Sequence, residues 1–241
     1  MSASSTAAKD LVERVAAALE ARSDLAKAPA MEAYMRNQFA FLGIPSRGQQ
    51  EIFREVVADL PRVLPDEVVA TAAVDLWAFP EREYQYVGCR IVNRHTASGG
   101  TSAGFLATVQ RLLTTKPWWD TVDTLATRSV GDLVRQHPSL RTTMDEWLVG
   151  DDMWLTRSAL LHMNRWKATT DQAWLFAACL RRSADTDFFV RKAIGWALRE
   201  HSKVDQAAVV TFVEQHDELS GLSRREALMW LERRRRRTES A

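Results

Sequence analysis

The chain has 241 residues, 46% hydrophobic and 26% charged, enough for one large or two small domains around a sizeable core. Lys+Arg 32 against Asp+Glu 31 leaves a net charge of +1, so any basic surface must come from how charges are distributed. No run approaches 18 uninterrupted apolar residues, which excludes a membrane span. The N-terminus lacks the basic flank and apolar run of a secretion signal, and Cys89 and Cys179 are too few for a disulfide framework. A soluble protein with buried thiols in a reducing cytoplasm is expected, and no Cys/His cluster indicates a metal.

Leu11, Val12, Val15 and Leu19 open the chain at helical spacing. The same period runs almost throughout, interrupted by "GIPSRG", "LPRVLPDE", "FPERE", "TASGGTSAG", "TKPWW", "QHPSL", "VGDDM", "KATTD", "SADTD" and "SGLS". Alternating strand-like runs are absent, so the class is all-α. The longest loop is expected over 93–104. Ser46 can cap the helix after "GIP", and Pro117 suits the first position of another.

"KPWWDTVD" sets two tryptophans beside two carboxylates over residues 116–123. In a helix Trp119 and Asp123 lie one above the other, because positions four apart share a face. Trp118 then points to the core with Val122 and Leu125, while Asp120 complements the dipole of the first turn. "DDMWLTRSALL" opens the next helix on Asp151 or Asp152, and "DTDFFVRKAIGWALRE" opens another on Asp187. Phe188, Phe189 and Val190 read as core; Lys192, Trp196 and either Arg199 or Glu200 share one face.

"RSAL", "RKAI" and "REAL" begin at Arg157, Arg191 and Arg225, each 34 residues after the last, and one step back from Arg157 lands on Asp123. A constant step filled by two helices marks an α-solenoid of HEAT-like or TPR-like helix pairs, roughly six or seven over this length. The whole chain, 1–241, is then a single repeat domain, with a basic, flexible tail at 233–241. Ala159, Ala193 and Ala227 pack neighbouring helices in this scheme, and Arg157 can approach Asp123. Trp119, Asp123, Arg157 and Trp196 are placed on one side of successive repeats.

These segments, with "MEAYMRNQFAFLGI", "FPEREYQ" and "LSRREAL", resemble the AlkD-type bacterial DNA alkylation-repair glycosylases, in order from about residue 28 to 232. The resemblance implies HEAT-like repeats with a concave DNA-binding face. It also implies excision of N3- and N7-alkylated purines from duplex DNA, leaving an abasic site, without an enclosing base pocket. Carried over by position, the key aspartate is Asp123, the lesion-facing tryptophans are Trp119 and Trp196, the active-site arginine is Arg157, and a tyrosine near the lesion is Tyr34. The chain departs from the family after Gly43, where Pro45-Ser46 stands in place of a usual Thr-Pro, and Ser46 is the residue this helix start offers to a phosphate.

The chemistry suits these residues. An N-alkylated purine is already cationic and leaves readily, so the barrier falls when negative charge stands near the oxocarbenium-like sugar. A carboxylate about 4 Å away at an effective dielectric near 20 contributes about 4 kcal/mol, roughly a thousandfold in rate. Asp123 is the candidate for this and for orienting water. Arg157 either holds Asp123 ionised or contacts a phosphate, and the tryptophan faces favour a cationic lesion. Lys192, Arg199, Arg224 and Arg225 are candidates for a rim along the DNA backbone, and Arg233–Arg237 for non-specific affinity. No cofactor is expected, and the partner is double-stranded DNA, bound by a nucleoid-associated monomer. The alternatives are a non-catalytic HEAT-repeat adaptor binding DNA or protein, a DNA-binding relative that has lost or changed its chemistry, and a lyase using Lys192 as a Schiff-base amine.

Overall fold

The computed structural model describes residues 3–239 and is helical from end to end. Its helices are α1 (Ala3–Glu20), α2 (Ala28–Tyr34), α3 (Ser46–Val56), α4 (Asp66–Ala78), α5 (Arg82–Thr96), α6 (Leu106–Thr114), α7 (Trp119–Leu125), α8 (Gly131–Gln136), α9 (Arg141–Val149), α10 (Met153–Leu161), α11 (Gln172–Arg181), α12 (Phe188–His201), α13 (Gln206–Gln215) and α14 (Gly221–Glu239). Among the described residues there is no strand, only an isolated bridge between Ala40 and Glu81. None of the helices is long and apolar enough to cross a membrane. The chain divides into two compact units, 1–117 and 118–241.

In the first unit, Ala8, Leu11, Val15 and Leu19 form the buried stripe of α1, which packs on α3, α4 and α5. The "FPEREYQ" and "FAFLGI" segments meet here. The buried Glu83 carboxylate accepts the backbone N–H groups of Leu42, Gly43 and Ile44, each at 3.0 Å. Burial pushes the Glu83 carboxyl above the usual range, against the pull of these donors. Gly43 sits at φ +82°, where a Cβ would meet the Asp24 carbonyl oxygen at 1.9 Å, so only glycine fits. Arg82 is fully buried, its guanidinium 3.8 Å over the Phe39 ring and donating to the Lys116 carbonyl at 3.0 Å.

The loop expected over 93–104 is shorter, because α5 continues through Thr96 and a 3₁₀ turn begins at Ala103. Asp66 anchors what remains, accepting from the Ser102 N–H at 3.1 Å and the Ser102 hydroxyl at 2.6 Å while pairing with His95 Nε2 at 2.8 Å.

In the second unit, α10 packs on α9 and α12, and α12 packs on α14. Ala159, Ala193 and Ala227, set 34 apart, are each 0% exposed, which lets these helices approach closely. Aspartates start four of the helices: Asp152, Asp171, Asp187 and Asp205 each accept backbone N–H groups of the first turn. Asp152, not Asp151, caps α10.

Several local expectations change. The helix of Asp123 starts at Trp119, not at Pro117. Lys116 takes φ +48° and Trp118 is extended, with its ring against Trp154 and Phe189. Ser46 is the first residue of α3 and makes no capping bond; Pro45 holds the cap position. Phe188, expected in the core, is 50% exposed, because it falls on the outer side of the first turn of α12. The backbone of 233–239 continues α14 instead of forming a tail, and 240–241 lie outside the described residues.

Packing of α12 on α14 is tightest at Gly195, where a Cβ would stand 2.4 Å from Glu226 Cβ and 2.7 Å from the Ser223 carbonyl oxygen. Gly195→Ala is therefore expected to lower stability by about 2 kcal/mol through overpacking. Gly104→Ala, whose nearest neighbour is the Ser102 hydroxyl at 3.6 Å, is expected to leave it nearly unchanged. Denaturant unfolding of the two variants checks this; equal midpoints would show that the helices separate freely.

Candidate active site

Asp123 lies in the last turn of α7, four residues after Trp119 and on the same face. A five-residue π-helical turn, Ala126–Val130, follows directly and links α7 to α8. The Thr127 hydroxyl donates to the Asp123 carbonyl at 2.8 Å as the helix widens. Such single-turn insertions often accompany functional residues because they shift the phase of a helix face.

Arg157, on α10, meets Asp123 in a two-point contact: Nε donates to Oδ1 at 2.7 Å and Nη2 to Oδ2 at 2.8 Å. Its remaining nitrogen, Nη1, donates to the Phe189 carbonyl at 2.6 Å, in the first turn of α12. Side-chain exposure is 6% for the arginine and 17% for the aspartate, so the carboxylate alone reaches solvent appreciably. The guanidinium is directed wholly into the protein. Of the two tasks expected of Arg157, the geometry favours holding Asp123 over reaching a phosphate. Burial pushes the Asp123 carboxyl above the usual aspartate range, Arg157 opposes this, and Asp120 adds to it.

An aromatic cluster borders the pair. Trp118 lies 6.0 Å from Trp154 and 5.4 Å from Phe189, and Phe189 lies 4.9 Å from Trp154. The exposed Phe188 meets Phe189 edge-on at 5.4 Å. The Arg157 guanidinium is 6.0 Å from the Phe189 ring centre. From the sequence, Trp118, Phe188 and Phe189 are expected in the core. Their grouping is visible in hindsight as aromatics beside each capping aspartate, in "DDMW" and "DTDFF".

Trp196 is half-buried on α12, seven residues beyond Phe189 and about 10 Å further along the axis at 1.5 Å per residue. Its indole N–H donates to Glu200 Oε1 at 3.3 Å. Lys192 and Arg199 flank it, and both are bound by Glu226 of α14, at 2.6 and 2.5 Å. Burial raises the Glu226 carboxyl, but the two cations more than offset this and hold it below the usual range. Glu226 went unread, yet it stands one 34-residue step after Lys192, the spacing that joins Asp123 to Arg157.

The other expected DNA contacts are more scattered. Arg224 donates to the His216 carbonyl and to Asp217, at 3.0 and 3.1 Å, while Arg225 is exposed on α14. Tyr34, 71% exposed at the end of α2, and the exposed Ser46 belong to the first unit. A cavity of about 570 Å³ lined by Met163, Asn164, Arg165, Glu200, His201 and Lys203 adjoins the Trp196 side of α12 through Glu200, although none of Trp119, Asp123, Arg157 and Trp196 lines it. Cys89 and Cys179 are buried free thiols, and burial pushes the Cys179 thiol well up. Among the described residues no three His, Cys, Asp or Glu side chains gather as a metal site.

Helical architecture and a solvent-touching carboxylate clamped by arginine define an all-α protein with a candidate acid–base or electrostatic centre. The family profile described as "DNA alkylation repair enzyme" matches residues 15–231, so this chain belongs to that family. It is also similar to a solved structure described as a predicted DNA alkylation repair enzyme from Enterococcus faecalis. The two are 28% identical with a TM-score of 0.79, over 87% of this chain and 96% of that one. Comparison with curated proteins gives no match.

A raised pKa means that the folded state holds the Asp123 proton more tightly than the unfolded chain, so ionising Asp123 as pH rises weighs against folding. Arg157→Met removes the opposing cation and is expected to raise this pKa further. Its stability deficit against the parent should be small in acid and widen as pH rises through the Asp123 titration, reaching about 3 kcal/mol at neutral pH. Urea unfolding across that range checks the sign; a deficit independent of pH would show that Arg157 contributes packing and not charge.

Proposed function

We propose that the chain is a monofunctional DNA glycosylase that hydrolyses the N-glycosidic bond of cationic N3- and N7-alkylated purines in duplex DNA. The observation that carries this reading is the Asp123 carboxylate, held at two points by Arg157 and still 17% exposed. A carboxylate fixed in this way needs no reorganisation when positive charge develops on the sugar, which is the condition for electrostatic stabilisation of an oxocarbenium-like transition state.

In this reading Asp123 faces the sugar and orients the attacking water, and the departing base needs no general acid because it leaves as a neutral purine. Arg157 keeps the carboxylate ionised and in place. Trp119, one helical turn from Asp123, and Trp196 offer indole faces to the cationic nucleotide, each contributing about 0.5 to 2 kcal/mol. The lyase alternative finds less support, since the Lys192 amine is engaged by Glu226 at 2.6 Å. Lys192, Arg199, Arg224, Arg225, Tyr34 and Ser46 are assigned to the DNA interface, with Arg225, exposed on α14, adding salt-sensitive affinity and Lys192 and Arg199 contributing the one positive charge that Glu226 leaves uncompensated. The helix pairs are read as a HEAT-like solenoid forming one domain and presenting a DNA-binding face as a nucleoid-associated monomer in the cytoplasm.

The test incubates the protein with methylated duplex DNA and measures released 7-methylguanine and 3-methyladenine. Release well above the spontaneous rate is expected, and Asp123→Asn should reduce it roughly a thousandfold while changing DNA affinity less than about threefold. No release by the parent protein would favour the non-catalytic adaptor. Full activity in the Asn variant would remove Asp123 from the chemistry.

A further inference from the structure

Trp196 is held by a chain of contacts that the proposed reaction does not itself require. Its Nε1–H donates to Glu200 Oε1 at 3.3 Å, one turn further along α12. Lys203 Nζ, just past the end of the helix, binds both oxygens of that carboxylate at 2.7 Å. Glu200 is 24% exposed at its side chain and Lys203 is 41% exposed. A partly exposed carboxylate left alone would sample several rotamers; the lysine favours the one that faces the indole edge. On the other flank, Glu226 ties Lys192 and Arg199, the residues four before and three after Trp196, so one of their two positive charges is offset. The tryptophan thus stands between two acidic clamps, its N–H edge occupied.

This arrangement has a directional consequence. An indole in a half-buried site can turn about its side-chain bonds, and cation–π attraction acts only when the ring face meets the cation. Binding the N–H edge keeps one orientation and leaves a face to offer. Pairing Lys192 and Arg199 with Glu226 also lessens the repulsion that a cationic lesion would otherwise meet beside that face.

We propose that Glu200, itself set by Lys203, is a positioning residue that orients the Trp196 indole and thereby contributes to preference for a positively charged nucleotide. The proposal rests on the glycosylase reading of Trp196 and deepens it. Glu200 touches no reacting atom in this scheme; it acts through the ring.

The experiment uses the full chain labelled with 5-fluorotryptophan, its Trp196 ¹⁹F resonance identified by disappearance in Trp196→Leu. Affinity is measured for duplexes carrying a cationic pyrrolidine abasic analogue or its neutral tetrahydrofuran counterpart. The parent should prefer the cationic duplex. Glu200→Leu should shift the Trp196 resonance and lower that preference about threefold, with affinity for the neutral duplex unchanged. Glu200→Gln, which keeps an acceptor, should restore both, and Lys203→Met should give the Leu effect in weaker form without touching the carboxylate.

The effect of Glu200→Leu should vanish in a Trp196→Leu background. A preference unchanged in both Glu200→Leu and Lys203→Met, or an effect that persists without Trp196, overturns the proposal while leaving the glycosylase reading intact. Absence of any preference in the parent overturns the role of Trp196 in that reading, and the role of Glu200 with it.

Discussion

The buried contact between Asp123 and Arg157 organises the second unit. Its two short hydrogen bonds join α7 to α10, and the third guanidinium nitrogen reaches α12. Neither ion would be tolerated alone at this depth, because removing a charge from water costs several kcal/mol unless a partner with good geometry replaces the solvent. The pair is therefore poor evidence of stability gained, and better evidence of a carboxylate that must be kept in one place. Around it the molecule spends buried polar atoms consistently: a π-helical turn follows the aspartate, and an aromatic cluster excludes water from the arginine.

The first unit solves a similar problem for a different end. Glu83 and Arg82 are adjacent, charged and fully buried. Glu83 gathers three backbone donors of the turn after α2, and Arg82 joins Phe39 to the Lys116 carbonyl. These residues lie within the span that matches the DNA alkylation repair enzyme family, yet their contacts are structural: they set the path of the backbone at residues 42–44 and 116. A motif shared with an enzyme family can mark the frame as well as the chemistry.

Charge on α12 shows why distribution matters more than the net value of +1. Lys192 and Arg199 read as a basic rim when only their own helix is considered. Glu226, arriving from α14, binds both and offsets one of their two charges, and Glu200 and Lys203 form a second pair beside Trp196. The five charged groups around that tryptophan are therefore paired with one another and sum to a single net positive charge.

Helical periodicity, the 34-residue step and the capping aspartates were all legible in the sequence, because each depends on residues within one or two turns or on repeated spacing. That step also anticipated the approach of Arg157 to Asp123, and would have paired Lys192 with Glu226 had it been applied there. The sequence could not decide where long side chains go once several partners lie within reach. Tertiary packing alone turned Arg157 inward to Asp123 and Phe189, drew Arg224 to the His216 carbonyl, left Phe188 half in water and moved the start of α7 from Pro117 to Trp119. The physical reason is that backbone periodicity is a local preference, whereas the direction of a charge or an aromatic ring follows from which desolvated partner stands opposite it in the folded chain.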